Sequence, residues 1–348
     1  MTIAIFSGCF IVIQDMKTII KSLDNSVFYF EPKDDQEMAE STLSIVVPIY
    51  NEEANIAELS RRLAQLTFPE IKSVEFILVN DGSRDQSLPM LHDLATQDSR
   101  FKIIDLSRNF GHQLAITAGM NEATGDACVV MDGDLQDPPE TVPELVAKWK
   151  EGFDIVYAVR EKRDGESWFK LATAKLFYRI LQRITNVEIP VDTGDFRLID
   201  RKVLDVLKEM PEKHRFIRGM VAWSGFRAAP VYYHREKRFA GATKYTFRKM
   251  LTFSLHGITS FSTYPLKIVS GFGFLVSIIG FFYLFYVIGL AIFTDETVQG
   301  WASLMVIVLF LGGVQLLSLG VLGEYLGRIN EEVKGRPNYI IREKINFS

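Results

Sequence analysis

From Leu43 onward, short apolar runs alternate with longer stretches in which apolar positions recur every three or four residues. Leu43–Val47, Val74–Val79, Phe101–Leu106, Ala127–Met131 and Phe153–Val159 read as buried strands. Glu53–Leu66, Asp85–Gln97, Gln113–Glu122 and Pro139–Trp149 read as the helices between them. Such an alternation predicts an α/β fold, with a Rossmann-like, mostly parallel sheet and helices on both faces. Ligands on such sheets bind beyond the carboxyl ends of the strands. The residues that follow each strand are therefore the ones to inspect.

The pattern changes near the end of the chain. Ile268–Thr294 and Thr297–Gly323 hold no charged residue, and each exceeds the roughly 20 apolar residues that cross a bilayer core. The Asp295-Glu296 link is too short for a domain, so the two runs predict a transmembrane hairpin with both flanks on one side. Lys267, Arg328, Lys334, Arg336, Arg342 and Lys344 lie on that side, and the link is acidic. By the positive-inside rule the strand-helix domain and both termini are expected to be cytoplasmic. Thr2–Ile13 is apolar but too short to span, with neither a basic start nor a small-residue cleavage site, so it does not read as a signal peptide. The expected organisation is a loosely ordered extension over 1–42, the strand-helix domain over 43–245, an interfacial helix over 246–265, two spans within 266–323 and a tail over 324–348.

Composition narrows the function classes. Lys and Arg number 39 against 43 Asp and Glu, a net charge of −4, so the bulk positive charge of a nucleic-acid binder is missing and no nucleic-acid partner is expected. Cys9 and Cys128 are too few for a disulfide framework or a cysteine zinc site. No G-x-G-x-x-G follows a strand and no G-x-x-x-x-G-K-[ST] occurs, which argues against a dinucleotide cofactor and a P-loop.

The strand ends carry the chemistry. Asp132-Gly133-Asp134 follows the fourth strand, with Gln136 and Asp137 close behind. Two carboxylates separated by a small residue can approach one hard divalent ion, and Mg²⁺ is usually held by one or two carboxylates plus substrate phosphates. The plainer reading is a turn with solvated aspartates. Asp81, after the second strand, can accept an imide N–H such as that of uracil, or simply form an Asp-Gly turn. Tyr50 can pack on a base, and Pro48 would fix its loop.

Ile45–Glu52, Val79–Ser83 and Met131–Pro138 together resemble family 2 glycosyltransferases of the GT-A fold, most closely the polyprenyl-phosphate glycosyltransferases. The resemblance covers roughly residues 43–335. It implies that Pro48, Tyr50, Glu52 and Asp81 contact the nucleotide, with Asp132 and Gly133 beside it. It also implies that Asp132, Asp134 and Gln136 serve a Mg²⁺ or Mn²⁺ ion and the diphosphate. Val191–Leu198, Lys213–Gly219 and Arg238–Tyr245 resemble the family's acceptor-side segments, with Thr243 where the family usually has Ser. Arginine forks match phosphate oxygens, so Arg197, Arg215 and Lys244 are expected to engage phosphates, with Arg160 and Arg163 nearby. Asp195 invites a general-base role. A phosphate monoester, however, is largely ionised near neutral pH, and Asp195 can instead orient Arg197, join the metal site or take a residual proton.

Two stretches read as membrane-surface elements. Ser167–Thr185 is a basic amphipathic helix, and Phe247–Tyr264 is mostly apolar after Arg248 and Lys249. Packing of both on the sheet domain is the alternative. Glycines in both spans permit close helix packing and an expected homo-oligomer. The function expected is inverting transfer of a hexose, most simply glucose from UDP-glucose, to a polyprenyl phosphate, with Asp195, Arg197 and Asp134 in catalytic roles. UDP-aminoarabinose, UDP-N-acetylhexosamine or GDP-mannose are alternative donors, and a non-catalytic nucleotide-sugar-binding scaffold is the alternative of another class.

Overall fold

The structure, a computed structural model, describes residues 41–69, 71–160, 193–235, 264–293 and 300–347. The expected strands and helices of the first half form in the expected order. They are β1 (Thr42–Ile49), α1 (Glu53–Ala64), β2 (Ser73–Asn80), α2 (Ser87–Gln97), β3 (Phe101–Leu106), α3 (His112–Glu122), β4 (Ala127–Val130), a 3-10 turn at Pro139–Thr141, α4 (Val142–Lys150) and β5 (Ile155–Arg160). After the undescribed stretch come β6 (Thr193–Asp200), α5 (Arg201–Glu209), α6 (Ile217–Trp223) and β7 (Ala228–Tyr233). The long helices α7 (Tyr264–Phe293) and α8 (Trp301–Val333) and the strand β8 (Ile341–Ile345) complete the described chain.

One eight-stranded sheet, in the order β7-β5-β6-β4-β1-β2-β3-β8, organises the domain. β1 pairs in parallel with β2 and β4, and β2 with β3. β6 runs antiparallel between β4 and β5, and β8 antiparallel along β3. Side chains alternate across a strand, and β1 shows the consequence. Leu43, Ile45, Val47 and Ile49 join the core formed with Leu59 and Leu63 of α1, Leu91 of α2 and Leu145 and Trp149 of α4. Val46 points the other way, towards Ala115 and Ile116 of α3 and Leu204 of α5. Burial on both faces explains why β1, β2 and β4 are nearly uninterrupted apolar runs.

The strand order reverses at β1: β2 and β3 lie on one side, and β4 on the other. Helices leaving opposite faces at such a point open a crevice at the strand ends. The Asp132–Asp137 loop after β4 and the Tyr50–Glu52 loop after β1 flank it.

The acceptor-motif segment around Asp195, whose secondary structure the periodicity did not reveal, is the fully buried strand β6. α8 continues past Gly323 to Val333, and the tail returns to the sheet as β8. At about 1.5 Å per residue, α7 and α8 are about 45 and 50 Å long, against a hydrocarbon core of about 30 Å. Leu266–Tyr283 and Phe310–Val333 are long and apolar enough to cross a membrane, and neither stretch is buried by the protein. Phe281, Phe282, Phe285, Leu316 and Leu317 are exposed.

Candidate active site

The crevice is built from the loop after β4 and the starts of α3, β6 and α6. Gly133 fits its place because a Cβ there would lie 2.8 Å from Ile49 Cδ1 and 3.2 Å from the Pro48 carbonyl oxygen. A larger residue would make Ile49 and the end of β1 shift, so glycine lets the carboxylate loop lie close against the end of β1. Leu135 takes a φ of 59°, a left-handed conformation that costs a non-glycine residue about 1–2 kcal/mol. Its side chain is buried, and this packing holds the turn, with Asp134 and Gln136 on either side of it half-buried. The Asp134 carboxylate accepts the Gln136 N–H at 3.1 Å.

Asp132 and Asp195 face each other across His112. The His112 Nε2 lies 3.3 Å from Asp132 Oδ1 and 3.1 Å from Asp195 Oδ2. Asp195 also receives Gln113 Nε2 at 3.1 Å and Arg218 through Nε at 2.7 Å and Nη2 at 3.2 Å. Behind it, the Arg197 guanidinium, 1% exposed, donates to the Gly194 carbonyl at 2.7 Å and stands 3.7 Å from Asp195 Oδ1. Arg197 therefore sits beneath the carboxylate, packed over the Tyr157 ring, and presents no surface to the crevice.

These contacts set the protonation states. Burial raises the Asp195 carboxyl, but the Arg218 charge and the His112 and Arg218 hydrogen bonds outweigh it and hold it well below the usual carboxylate range. Burial lowers the His112 imidazole, yet the Asp195 hydrogen bond and the Asp132 and Asp195 charges raise it to about 9. Asp132 is pushed up to about 6, chiefly by burial and then by Asp137, Asp195 and Asp134, with His112 opposing.

A second cluster closes the other end of the loop. Asp137 is fully buried and accepts the Tyr233 hydroxyl. Arg160 Nε donates to the same hydroxyl oxygen at 3.2 Å, and Arg235 Nη2 donates to Gln136 Oε1 at 2.8 Å. Burial and the Asp137 carboxylate raise the Tyr233 phenol, so it stays a donor.

Could these residues hold a divalent ion? Asp137 Oδ2 is buried and lacks a hydrogen-bond partner, and Asp132 Oδ1 is buried with no hydrogen bond beyond its ion pair with His112. The donors nearby are hard oxygens, suited to Mg²⁺ or Mn²⁺ rather than to softer metals. Among the described residues, no three His, Cys, Asp or Glu side chains converge into a complete cage. The loop thus fits an ion shared with substrate phosphates and not a closed structural site.

On the far side of β1, a cleft of about 410 Å³ is lined by Asn51, Glu52, Glu53, Asn55, Arg84 and Asp85. Glu52 accepts Asn55 Nδ2 at 2.5 Å. Pro48 is buried and Tyr50 half-buried, just before Asn51 in the chain, and neither lines the cleft. Asp81 is directed elsewhere. Its carboxylate accepts the N–H groups of Phe110 at 2.7 Å and Gly111 at 3.0 Å and Asn109 Nδ2 at 2.9 Å. Burial raises its pKa despite those amides. Asp81 in this structure pins the loop after β3 to the loop after β2. Gly82 completes that contact: its φ is +65°, and a Cβ would lie 2.5 Å from Arg108 C and Asn109 N.

Of the residues singled out from sequence, Asp132, Asp134, Gln136, Asp195 and Arg160 come together, with Arg197 beneath them. Arg215 does not join them. Its guanidinium donates to the carbonyls of Leu207 at 3.0 Å and of Met210, closing the end of α5. Arg163, Lys244, Ser167–Thr185 and the stretch from Phe247 to residue 263 lie outside the described residues. His112, Gln113, Arg218, Asp137, Tyr233 and Arg235 were not singled out. His112 and Gln113 directly follow the polar loop after β3, a position that marks them. Nothing in the Lys213–Gly219 segment distinguishes Arg218 from Arg215 until α6 sets their directions.

The glycosyl transferase family 2 description matches residues 44–207. Over 300 residues the chain is 54% identical to the uncharacterised glycosyltransferase YkcC of Bacillus subtilis (strain 168), covering 86% of this chain and 93% of that protein. The chain belongs to glycosyl transferase family 2. This glycosyltransferase has the GT-A arrangement that its motifs implied. It is also 42% identical to the prophage bactoprenol glucosyl transferase homolog of Escherichia coli (strain K12), covering 86% of this chain and 98% of that one. It is 40% identical to the bactoprenol glucosyl transferase of Shigella phage SfV, at 87% and 98% coverage. A solved structure of glucosyl-3-phosphoglycerate synthase from Mycobacterium tuberculosis with Mn²⁺, UDP and glucosyl-3-phosphoglycerate matches this glycosyltransferase at a TM-score of 0.42. It is 18% identical, covering 67% of this chain and 84% of that one.

Proposed function

We propose that this glycosyltransferase moves glucose from UDP-glucose to the phosphate of a polyprenyl phosphate, with inversion at the anomeric carbon. The observation that carries this reading is the 40–42% identity, over nearly their whole length, to proteins named bactoprenol glucosyl transferases or their homolog. The exposed apolar helices α7 and α8 agree with a lipid acceptor. In the same reading both helices cross the bilayer and the sheet domain lies on the cytoplasmic face. Among the described residues, no atom from beyond their own helix turns lies within 4 Å of the place a Cβ would take at Gly271, Gly273, Gly312 and Gly313, which leaves room for a second copy of the hairpin.

The nucleotide lies in the cleft beside Glu52 and Asn51, with Pro48 and Tyr50 immediately before them in the loop after β1. The diphosphate reaches across β1 to the Asp132–Gln136 loop, where Asp132 and Asp134, with Gln136, would hold Mg²⁺ or Mn²⁺. A bound divalent ion would neutralise charge on the departing diphosphate. An acceptor phosphate oxygen gives its electron pair to C1 as the bond from C1 to the UDP oxygen breaks. The acceptor is already an anion, so it needs positioning more than proton removal. Asp195 suits that need: saturated by His112, Gln113 and Arg218, it holds these donors in place and is poorly suited to take a proton. Arg197 supports it from below, and Arg160, Arg163 and Lys244 provide further cations for phosphate oxygens.

The test is transfer in detergent. Purified protein is given labelled UDP-glucose, UDP-N-acetylglucosamine, UDP-aminoarabinose or GDP-mannose, a polyprenyl phosphate and Mg²⁺ or Mn²⁺. A glucolipid formed from UDP-glucose alone, and lost with EDTA or in Asp134→Ala, is expected. Product from another donor changes the sugar; nucleotide binding with no product from any donor overturns the catalytic reading.

A further inference from the structure

The last described strand begins at the carboxyl end of β3, the strand next to β2. β8 lies along β3, with Glu343 opposite Asp105 and Ile341 opposite Leu106. Asp105 is 2% exposed. Its Oδ1 accepts Asn80 Nδ2 at 2.7 Å. Its Oδ2 has no hydrogen-bond donor of its own and lies 3.1 Å from Nη1 of Arg342. Arg342 stays 56% exposed, and its Nη2 donates to the Ser107 carbonyl at 2.8 Å. A cation from the tail thus compensates a carboxylate buried at the end of β3, where an uncompensated charge is strongly unfavourable.

From Asp105 the hydrogen bonds run to the cleft. Asn80, held by Asp105, accepts the Ser83 N–H on its Oδ1 at 3.2 Å. The Ser83 hydroxyl oxygen accepts the Asn51 N–H at 3.0 Å, and Asn51 Oδ1 accepts the Arg84 N–H at 2.8 Å. Asn51 and Arg84 line the cleft. The amide of Asn80 can serve Ser83 only while Asp105 fixes which of its ends points to the turn.

We propose that Arg342 is a positioning residue for the nucleotide-sugar cleft, acting through Asp105 and Asn80 on the loops after β1 and β2. The inference rests on reading that cleft as the nucleotide site. It gives the C-terminal strand a part in donor binding, although no residue of β8 lines the cleft. Lys344 provides the internal control. It anchors the same strand through Glu122 at 2.6 Å, at the end of α3, with no link to the Asn80–Ser83 turn.

The test uses the full chain in detergent. UDP binding is measured by calorimetry with Mn²⁺ present, and donor and lipid kinetics by transfer. R342Q should weaken UDP binding and raise the donor KM by about tenfold, a coupling of ordinary size, with kcat and the lipid KM within about twofold. R342K should restore most of the affinity. K344A should bind UDP as the natural chain does. In a D105N background no buried charge needs compensation, so adding R342Q should change UDP affinity by less than about twofold. The double variant also carries the test if R342Q alone is unstable. Unchanged UDP affinity in R342Q, equal losses in K344A and R342Q, or a full R342Q effect on top of D105N would each overturn the proposal. A natural chain that binds no UDP would overturn the nucleotide reading of the cleft instead.

Discussion

Asp195→Asn keeps the shape of the side chain and removes the charge that Arg218, His112 and Arg197 surround. Breaking a buried ion pair by neutralising one partner costs about 3–5 kcal/mol. Arg218 and His112 keep 25% and 38% of their side-chain exposure, so water takes up part of the stranded charge. The expected cost is then about 2–3 kcal/mol, a fall in Tm of about 5–10 °C for a domain of this size. Turnover should fall by about a hundredfold as His112 and Arg218 lose their common anchor. Thermal unfolding followed by fluorescence gives the first quantity and transfer of labelled glucose the second. A general base lost to Asn would leave Tm unchanged and remove the acidic limb of the kcat–pH profile. A lost anchor lowers Tm and kcat together and leaves that limb in place. Unchanged Tm with a vanished limb would refute the anchor and restore the base; turnover and Tm both at the natural level would refute any role for the carboxylate.

His112 makes a pH prediction with a definite sign. Its imidazole is raised from 6.5 to about 9 in the fold, so its stabilisation is complete below about 6.5 and lost as pH rises through about 9. The Tm should fall across that window, and His112→Gln should flatten the slope; an unchanged slope would assign it to another group. Arg215→Ala should destabilise the domain by about 1–2 kcal/mol through the two stranded carbonyls and leave the polyprenyl-phosphate KM within twofold. A raised lipid KM at unchanged Tm would return Arg215 to the phosphate contacts. Gly82→Ala imposes a Cβ at a φ of +65°, 2.5 Å from the Arg108 and Asn109 backbone. It should cost about 2–4 kcal/mol and, read by calorimetry, loosen UDP; native Tm and affinity would show that the two loops can part freely.

Much of this molecule is written locally. Strands such as β1 and β4 are apolar on both faces and short, so periodicity and length alone assign them to a sheet covered on both sides. The carboxylate pair at Asp132 and Asp134 is likewise visible because it abuts a buried strand, where polar residues have no packing role. β6 escaped because it begins inside a motif with two charged residues, Asp195 and Arg197. Only their mutual neutralisation, with Arg218 and His112, permits such burial, and that depends on segments far away in the chain. β8 escaped for a similar reason. Ile-Arg-Glu-Lys-Ile reads as a charged tail, and it becomes a strand only because β3 offers an unpaired edge.

The sequence by itself determined the order of strands and helices as far as β5, the loop that bears the carboxylates, the two long apolar helices and the family. These follow from hydrophobic period, strand-end position and motif spacing, all of which are local. The tertiary structure decided which charges meet. It turned Arg218 towards Asp195 and Arg215 towards the end of α5, set Arg197 under the site, aimed Asp81 at the amides of Phe110 and Gly111, and brought Arg342 to Asp105. Each of these is a choice among several cations or donors of equal chemical fitness. It is settled by where helices begin and which strand edges are free, and neither is encoded near the residue concerned.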